Sequence, residues 1–323
     1  MIDFVVFIFT SRYLLSRYIF RNLVNLAKFL QRRDIQILNF DEKRFERANW
    51  ISSSIDRKAG QKDKSIELIV VSTSKDFDIL VHSVNYAIKS LSEYRFGGVR
   101  IIVPKRDLDE CRRLFARNNG KVKIIDETTI ISSDQINLLS QNFGNRDTWI
   151  LQQLLKVQAV LTTSADAVLI LDSDTLLLRK RPWFDQQGRQ ILTPSFEFNP
   201  PYYVFLNKLI FSKVIPDYTF VSHHMIIQPK IFNQIMIQIN TPDINKFLEY
   251  CCLHSDKYSS SPICVEYELY GQYVALKESQ SVFYARWANA TIPKKYSGLI
   301  LNSKILRFII SHSFNSISFH SWS

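Results

Sequence analysis

Asp172-Ser173-Asp174 is the tripeptide with the clearest chemical potential in this 323-residue chain. It follows directly on the apolar run AVLIL and precedes TLLLRKRPWF. Two carboxylates one residue apart at a strand's end can both turn towards one cation. Hard oxygen ligands of this kind suit Mg²⁺ or Mn²⁺, which in turn bridge phosphate oxygens. The plainer alternative is a polar turn that ends a strand. Upstream, GNRDTWILQQLLKVQAVL places Trp149, Gln152, Gln153 and Lys156 on one helical face, with Ile150, Leu154, Val157 and Leu161 opposite as the core stripe. An indole, two amides and an ammonium suit a polar ligand carrying phosphates; the alternative is a solvated face. Glu266 and Glu268, in EYELYG, would share a side on a strand and diverge by roughly 200° on a helix. His223 and His224, in SHHMII, cannot both face one way on a strand, so at most one is expected to enter a cleft.

The elements that must position these residues can be read from periodicity. Ser65–Thr73 is an apolar, β-branched run and reads as a buried strand. Residues 76–91 carry a helical pattern, Gly97-Gly98 punctuates, and Val99–Val103 is a second strand ended by Pro104. A helix over 107–118, a strand at Val122–Ile125, a helix over 147–161 and a strand at Ala167–Leu171 follow. Alternating strands and helices predict an α/β domain with a mostly parallel central sheet flanked by helices. Ligands of such sheets sit beyond the carboxyl ends of the strands, here after Thr73, Val103 and Leu171.

Composition narrows the functional classes. Hydrophobic residues make up 46% and charged residues 22%, which excludes a mainly disordered or fibrous chain. None of the 8 glycines falls into G-x-G-x-x-G or G-x-x-x-x-G-K-[ST], so phosphate binding needs side chains, a metal or a helix terminus. G-x-S-x-G and H-E-x-x-H are likewise absent, which sets aside serine hydrolases and zincins. The net charge of +11 favours anionic partners, yet no RNA-binding or zinc-finger signature occurs, and no nucleic acid is expected. Residues 1–64 hold 13 Lys/Arg against 7 Asp/Glu, so over half of the excess lies there. Leu14, Ile19, Leu23, Leu26 and Leu30 recur at helical spacing among basic residues. That pattern predicts a helix over 13–33, either packed on the core or lying on an anionic membrane surface. Residues 1–64 are expected to form a basic helical extension and linker, and 65–323 one domain. No run reaches the length of a membrane span. The four cysteines, none in C-x-x-C, read as buried thiols of a cytoplasmic protein, with peripheral association at the inner membrane face as a possibility. Asn289-Ala290-Thr291 is a glycosylation sequon on paper.

The runs DTWILQQLLKVQAV, DAVLILDSDTLLLRKRPWF, SHHMIIQP and EYELYG occur in this order. Together they resemble a family of uncharacterised, mostly bacterial proteins classed with the GT-A glycosyltransferases under a domain-of-unknown-function label. The resemblance runs from about Ile66 to the C-terminus and leaves residues 1–64 outside. It implies a GT-A-like nucleotide-diphospho-sugar transferase fold, a nucleotide-diphosphate sugar donor, and Mn²⁺ or Mg²⁺ held at the D-x-D motif. Asp172 and Asp174 then become the metal and donor-ribose pair, with His320 near the C-terminus as a third candidate metal ligand. Thr73 and Ser74 fall where such proteins hold the nucleotide base. Trp149, Gln152, Gln153, Lys156 and one of His223 and His224 are the other donor-side candidates, with Ser195 and Glu197 in a Pro-containing loop of the sort that closes over a donor. Inverting transfer needs a base for the acceptor's hydroxyl proton, and Glu268, then Glu266, are the candidates. The implied activity is transfer of a sugar to an unknown glycan or lipid-linked acceptor. The alternatives are a nucleotidyltransferase, and a non-catalytic protein binding a membrane surface or a partner on the same fold.

Overall fold

The computed structural model describes residues 60, 62–117, 120–195, 199–210, 218–241, 243–255, 263 and 265–320. The helix predicted over 13–33, nearly all of the basic extension, and Glu197 lie outside them. The chain divides into two compact units, and the described residues up to Trp287 belong to one and those from Ala288 to the other.

The larger unit is built on β1 (Ser65–Val71), α1 (Phe77–Ser90), β2 (Arg95–Val103), α2 (Leu108–Phe115), β3 (Val122–Asp126), α3 (Ser133–Phe143), α4 (Asp147–Leu161) and β4 (Ala167–Asp172). Short strands β5 (Thr175–Leu177) and β6 (Gln190–Leu192) lead to α5 (Pro200–Ile210), β7 (His224–Ile227), α6 (Pro229–Gln238), α7 (Ile244–His254), α8 (Tyr270–Lys277) and β8 (Val282–Tyr284). The central sheet has the order β3-β2-β1-β4-β7. Four strands are parallel, and β7 pairs antiparallel with β4. The predicted α/β architecture with a mostly parallel, helix-flanked sheet is therefore the observed one.

The burial pattern explains why β1 reads as a near-continuous apolar run. Ile66, Leu68 and Val70 pack with Phe77, Leu80 and Val84 of α1 and Cys111 of α2 on one face. Ile69 and Val71 pack with Ile150, Leu154 and Val157 of α4 and the helices that follow on the other face. A strand covered on both faces loses its polar alternation. Gly97-Gly98 does not precede β2 but lies inside it, where the β1–β2 register slips opposite Ile66 and Leu68. Gly98 has φ of 104°, and a Cβ on Gly97 would stand 3.2 Å from the Ile66 carbonyl carbon. Two glycines read as a stop thus mark a bulge within the strand. Helix α3, which periodicity did not reveal, begins at a capping box in which Ser132 and Gln135 bond each other's backbone N–H groups.

The terminal unit contains β9 (Asn289–Pro293), α9 (Ser297–Asn302), α10 (Lys304–Ser313) and β10 (Ser316–His320), with β9 and β10 parallel. Asn289 of the sequon accepts from the Ser316 hydroxyl at 2.6 Å and donates to Ser318 at 3.2 Å, so its amide is occupied within the strand pair. Among the described residues no helix is long and apolar enough to cross a membrane.

Candidate functional site

The carboxyl ends of β1 and β4 adjoin, with Val71 beside Asp172. Asp172 and Asp174 are partly exposed, and Ser173 between them is buried. Ser173 and Asp174 form the turn between β4 and β5, and Asp174 stands close enough to Asp172 to feel its charge. Ser173 is pinned there. Its hydroxyl donates to Asp76 at 3.1 Å, and its carbonyl accepts from Ser83 of α1 at 3.0 Å. Ser74 N–H donates to Asp107 at 2.9 Å, which ties the turn after β1 to the turn after β2. β1 ends at Val71, two residues before the expected Thr73; Thr73 is half-buried and Ser74 exposed at the turn that follows.

Asp172 is gripped by three donors from three elements. Lys156 Nζ of α4 lies 2.6 Å from Oδ1, and the Tyr267 hydroxyl donates to the same oxygen at 2.8 Å. His223 Nδ1 lies 3.2 Å from Oδ2. The Asp172 N–H donates to the His223 carbonyl at 2.9 Å. His223 adopts φ of 60°, a left-handed conformation uncommon for a residue with a side chain, which ends the loop before β7. Strain of this type gathers at functional sites.

Lys156 also lies 3.2 Å from Glu266 Oε1 and 5.0 Å from the centre of the Tyr267 ring. Its side chain is 6% exposed, so one buried ammonium serves two carboxylates. Burial opposes the charge on Lys156, but Asp172 and Glu266 outweigh it and raise its pKa above the ordinary range. Burial likewise opposes ionisation of Asp172, and Lys156 and His223 overcome it, holding the carboxyl well below the usual range. Glu266 moves the other way: burial raises its pKa, Lys156 opposes this, and the charge of Asp172 adds to it. Its Oε2 has no hydrogen-bond partner among the described residues. Asp174 is pushed up to about 6 by burial and then by the charge of Asp172, and the Thr175 hydroxyl donates to it at 3.3 Å.

Several predicted roles change with these placements. The polar face of α4 is not solvated: Gln153 and Lys156 are buried, and Gln153 donates to the Ile263 carbonyl at 3.4 Å. Trp149 stacks on Tyr202 with ring centres 6.2 Å apart, and Gln152 stays half-buried. Lys156 is engaged by two carboxylates, so it acts first on Asp172. The two histidines part because His223 lies before β7 and His224 within it. His224 is fully buried between Trp183 and Trp287, with ring centres 5.7 and 4.3 Å away, and burial pushes its pKa down to about 3. It is a neutral core residue, not a donor contact.

The two glutamates separate because residues Val265–Leu269 form a π-helical turn and not a strand. Glu266 faces Lys156. Glu268 is fully buried in a different set, accepting from the Tyr203 hydroxyl at 2.7 Å, Phe220 N–H at 3.0 Å and Gln272 at 3.4 Å. It fastens α5 and the 219–220 segment to α8, and this corrects its place as first candidate for the base. Burial pushes it up to about 7 against those three donors. Tyr267, between the two, escaped the sequence reading; a helical turn at EYEL would have set it apart from both. His320 closes β10 in the terminal unit.

The donor set suits a divalent ion that arrives with phosphate. Asp174 keeps most of its acceptor capacity, and Asp172 retains part of its own. Among the described residues no three His, Cys, Asp or Glu side chains are grouped to hold a metal. Two carboxylates with the remaining positions left to substrate oxygens is a common arrangement for Mg²⁺.

No curated protein matches this chain. Among solved structures, the galactosyltransferase LgtC, in complex with donor and acceptor sugar analogues, aligns at 12% identity over 78% of this chain and 86% of its own, with a TM-score of 0.42. Mouse xyloside xylosyltransferase 1 aligns at 10% identity over 80% and 98%, with a TM-score of 0.41. The mannosyltransferase Ktr4p from S. cerevisiae aligns at 8% identity over 80% and 84%, with a TM-score of 0.48. Likeness at this level bears on neither substrate nor chemistry. The sequence itself places the chain more firmly: residues 67–291, more than half of its length, match the family of unknown function DUF6492, and the protein belongs to that family.

Proposed function

We propose that the carboxyl end of the central sheet is the donor site of a GT-A-like, metal-dependent glycosyltransferase. The observation that carries this reading is Asp172, held by Lys156, Tyr267 and His223 at the carboxyl end of β4 where ligands of parallel sheets bind, with Asp174 in the turn directly after it. The substrate class is a nucleotide-diphosphate sugar, and the acceptor an unknown glycan or lipid-linked molecule.

Asp172 and Asp174 would hold Mn²⁺ or Mg²⁺. The bound ion would supply charge neutralisation of the departing diphosphate. The chain's own residues do the rest. Lys156, Tyr267 and His223 fix the Asp172 carboxylate in its ionised form and in one orientation. Thr73 and Ser74 offer hydroxyls beside the site, at the end of β1. Glu266 replaces Glu268 as the candidate proton acceptor, with an Oε2 that makes no hydrogen bond among the described residues and a raised proton affinity. Cys111 and Cys251, both buried thiols, support a reducing, cytoplasmic compartment.

The test is a thermal-shift screen of nucleotide sugars with and without Mn²⁺. The reading expects at least one compound to raise the melting temperature only when the ion is present. Equal shifts without the ion, or none with any compound, would overturn it.

A further inference from the structure

The opposite end of the same sheet has a different character. The amino ends of β1, β2 and β3 and the turn before β4 enclose a groove of about 540 Å³. Its floor is neutral and rigid. Arg100 clamps Glu67 with two bonds of 2.8 and 2.7 Å, and donates to the Ala159 carbonyl at 2.6 Å and Thr162 at 3.1 Å. Its rim is basic. Lys121 and Lys123 are exposed and have no ion pair among the described residues. Arg95 reaches Asp166 at 3.5 Å, with 70% and 48% of the two side chains exposed, so water weakens that pair. Thr162, Thr163 and Ser164 add hydroxyls to the lining.

We infer that this groove and its basic rim dock the protein on an anionic membrane surface by taking phosphate groups of lipid headgroups. Two observations favour a membrane over other polyanions. The segment that leads into Ser65 carries 13 Lys/Arg against 7 Asp/Glu, and its apolar residues recur at helical spacing among the basic ones. A basic segment with interleaved apolar residues suits an interface of headgroups and chains. Finally, this segment joins the folded unit at the amino end of β1, beside the groove. The inference does not depend on the donor site, which lies at the other end of the strands.

The experiment uses the full chain and sedimentation with phosphatidylcholine vesicles, with and without phosphatidylglycerol. The wild type should partition onto the phosphatidylglycerol vesicles and be released by added NaCl. The double variant Lys121→Gln/Lys123→Gln should lose about 30-fold in partitioning, as juxtaposed lysines each contribute about a factor of five at an anionic surface. Its melting temperature and its Mn²⁺-dependent nucleotide binding should match the wild type. Equal partitioning of variant and wild type would overturn the proposal. So would release by inorganic phosphate but not by NaCl of equal ionic strength, which would indicate a site for a free phosphate. A variant that loses an oligonucleotide but keeps its vesicles would point to nucleic acid instead.

Discussion

At the carboxyl ends of β1, β2, β3 and β4 the chain places Asp76, Asp107, Asp126, Asp172 and Asp174, with Lys75, Lys105 and Arg106 exposed in the same turns; at or next to the amino ends it places Lys64, Arg95, Lys121 and Lys123, with Asp63 and Asp166 among them. A parallel sheet brings all its like ends together, so small charge biases in separate turns add up at each pole. The poles differ in how the charges are held as well as in sign. The acids around Asp172 are buried or half-buried and fixed by named donors, whereas Lys121 and Lys123 stand in water. An acidic pocket repels a diphosphate unless a cation accompanies it, and a basic rim attracts anions without help. Ligand binding at the first pole should therefore require a divalent ion, and binding at the second should require only low salt.

The largest effect is expected from removing the buried cation of the acidic pole, Lys156. Lys156→Ala leaves Asp172 and Glu266 buried without their shared ammonium, and breaking such a pair by one partner costs about 3–5 kcal/mol. Urea denaturation would measure it. A loss below about 1 kcal/mol, in the range of an exposed surface pair, would show that the cluster is solvated and the contrast between the poles overstated.

Next comes the division between the two glutamates. Glu266→Gln should cut sugar transfer by about 10²–10⁴-fold while donor affinity stays near wild type, as befits loss of a general base. Glu268→Gln should leave transfer within a few-fold, because Glu268 faces Tyr203, Phe220 and Gln272. Initial rates with the donor identified by screening would decide; the reverse pattern would return the base to Glu268.

A smaller effect separates Glu268 by pH. Its folded pKa of about 7 stands above the ordinary 4.5, so the folded state holds its proton longer than the unfolded chain. Stability from this group is fully present below about 4.5 and declines as the pH rises to about 7. The fall amounts to at most about 3 kcal/mol. Denaturation midpoints of Glu268→Gln should lose this share of the slope, since Gln resembles the protonated form. An unchanged slope would mean that the carboxyl is ionised and solvated.

How much of this was legible depended on the distance over which each signal acts. The strand ending in Asp172 and the helix Asp147–Leu161 are short-range patterns, and periodicity located both. Asp172 and Asp174 stand out in the sequence because both carboxylates lie within one tripeptide. The burial of Lys156 and Gln153 could not, because a polar helical face looks the same whether water or another buried charge covers it. The choice between Glu266 and Glu268 turned on strand against helix at residues 265–269, where spacing alone leaves both open. Gly97-Gly98 reads as a stop although it lies in a bulge, because a glycine pair signals a turn and a bulge equally. Tyr267 joined the site through a hydrogen bond spanning 95 positions, which no local pattern announces.

The most direct test of the acidic pole as a donor and metal site is a calorimetric titration of the nucleoside diphosphate of the identified donor, in the presence of Mn²⁺, into wild type and Asp174→Ala. Asp174 makes one weak bond to Thr175, so its loss should leave the fold intact. The account predicts saturable heat for the wild type that vanishes when Mn²⁺ is omitted, and no saturable heat for the variant. Equal affinities for the two proteins would contradict it.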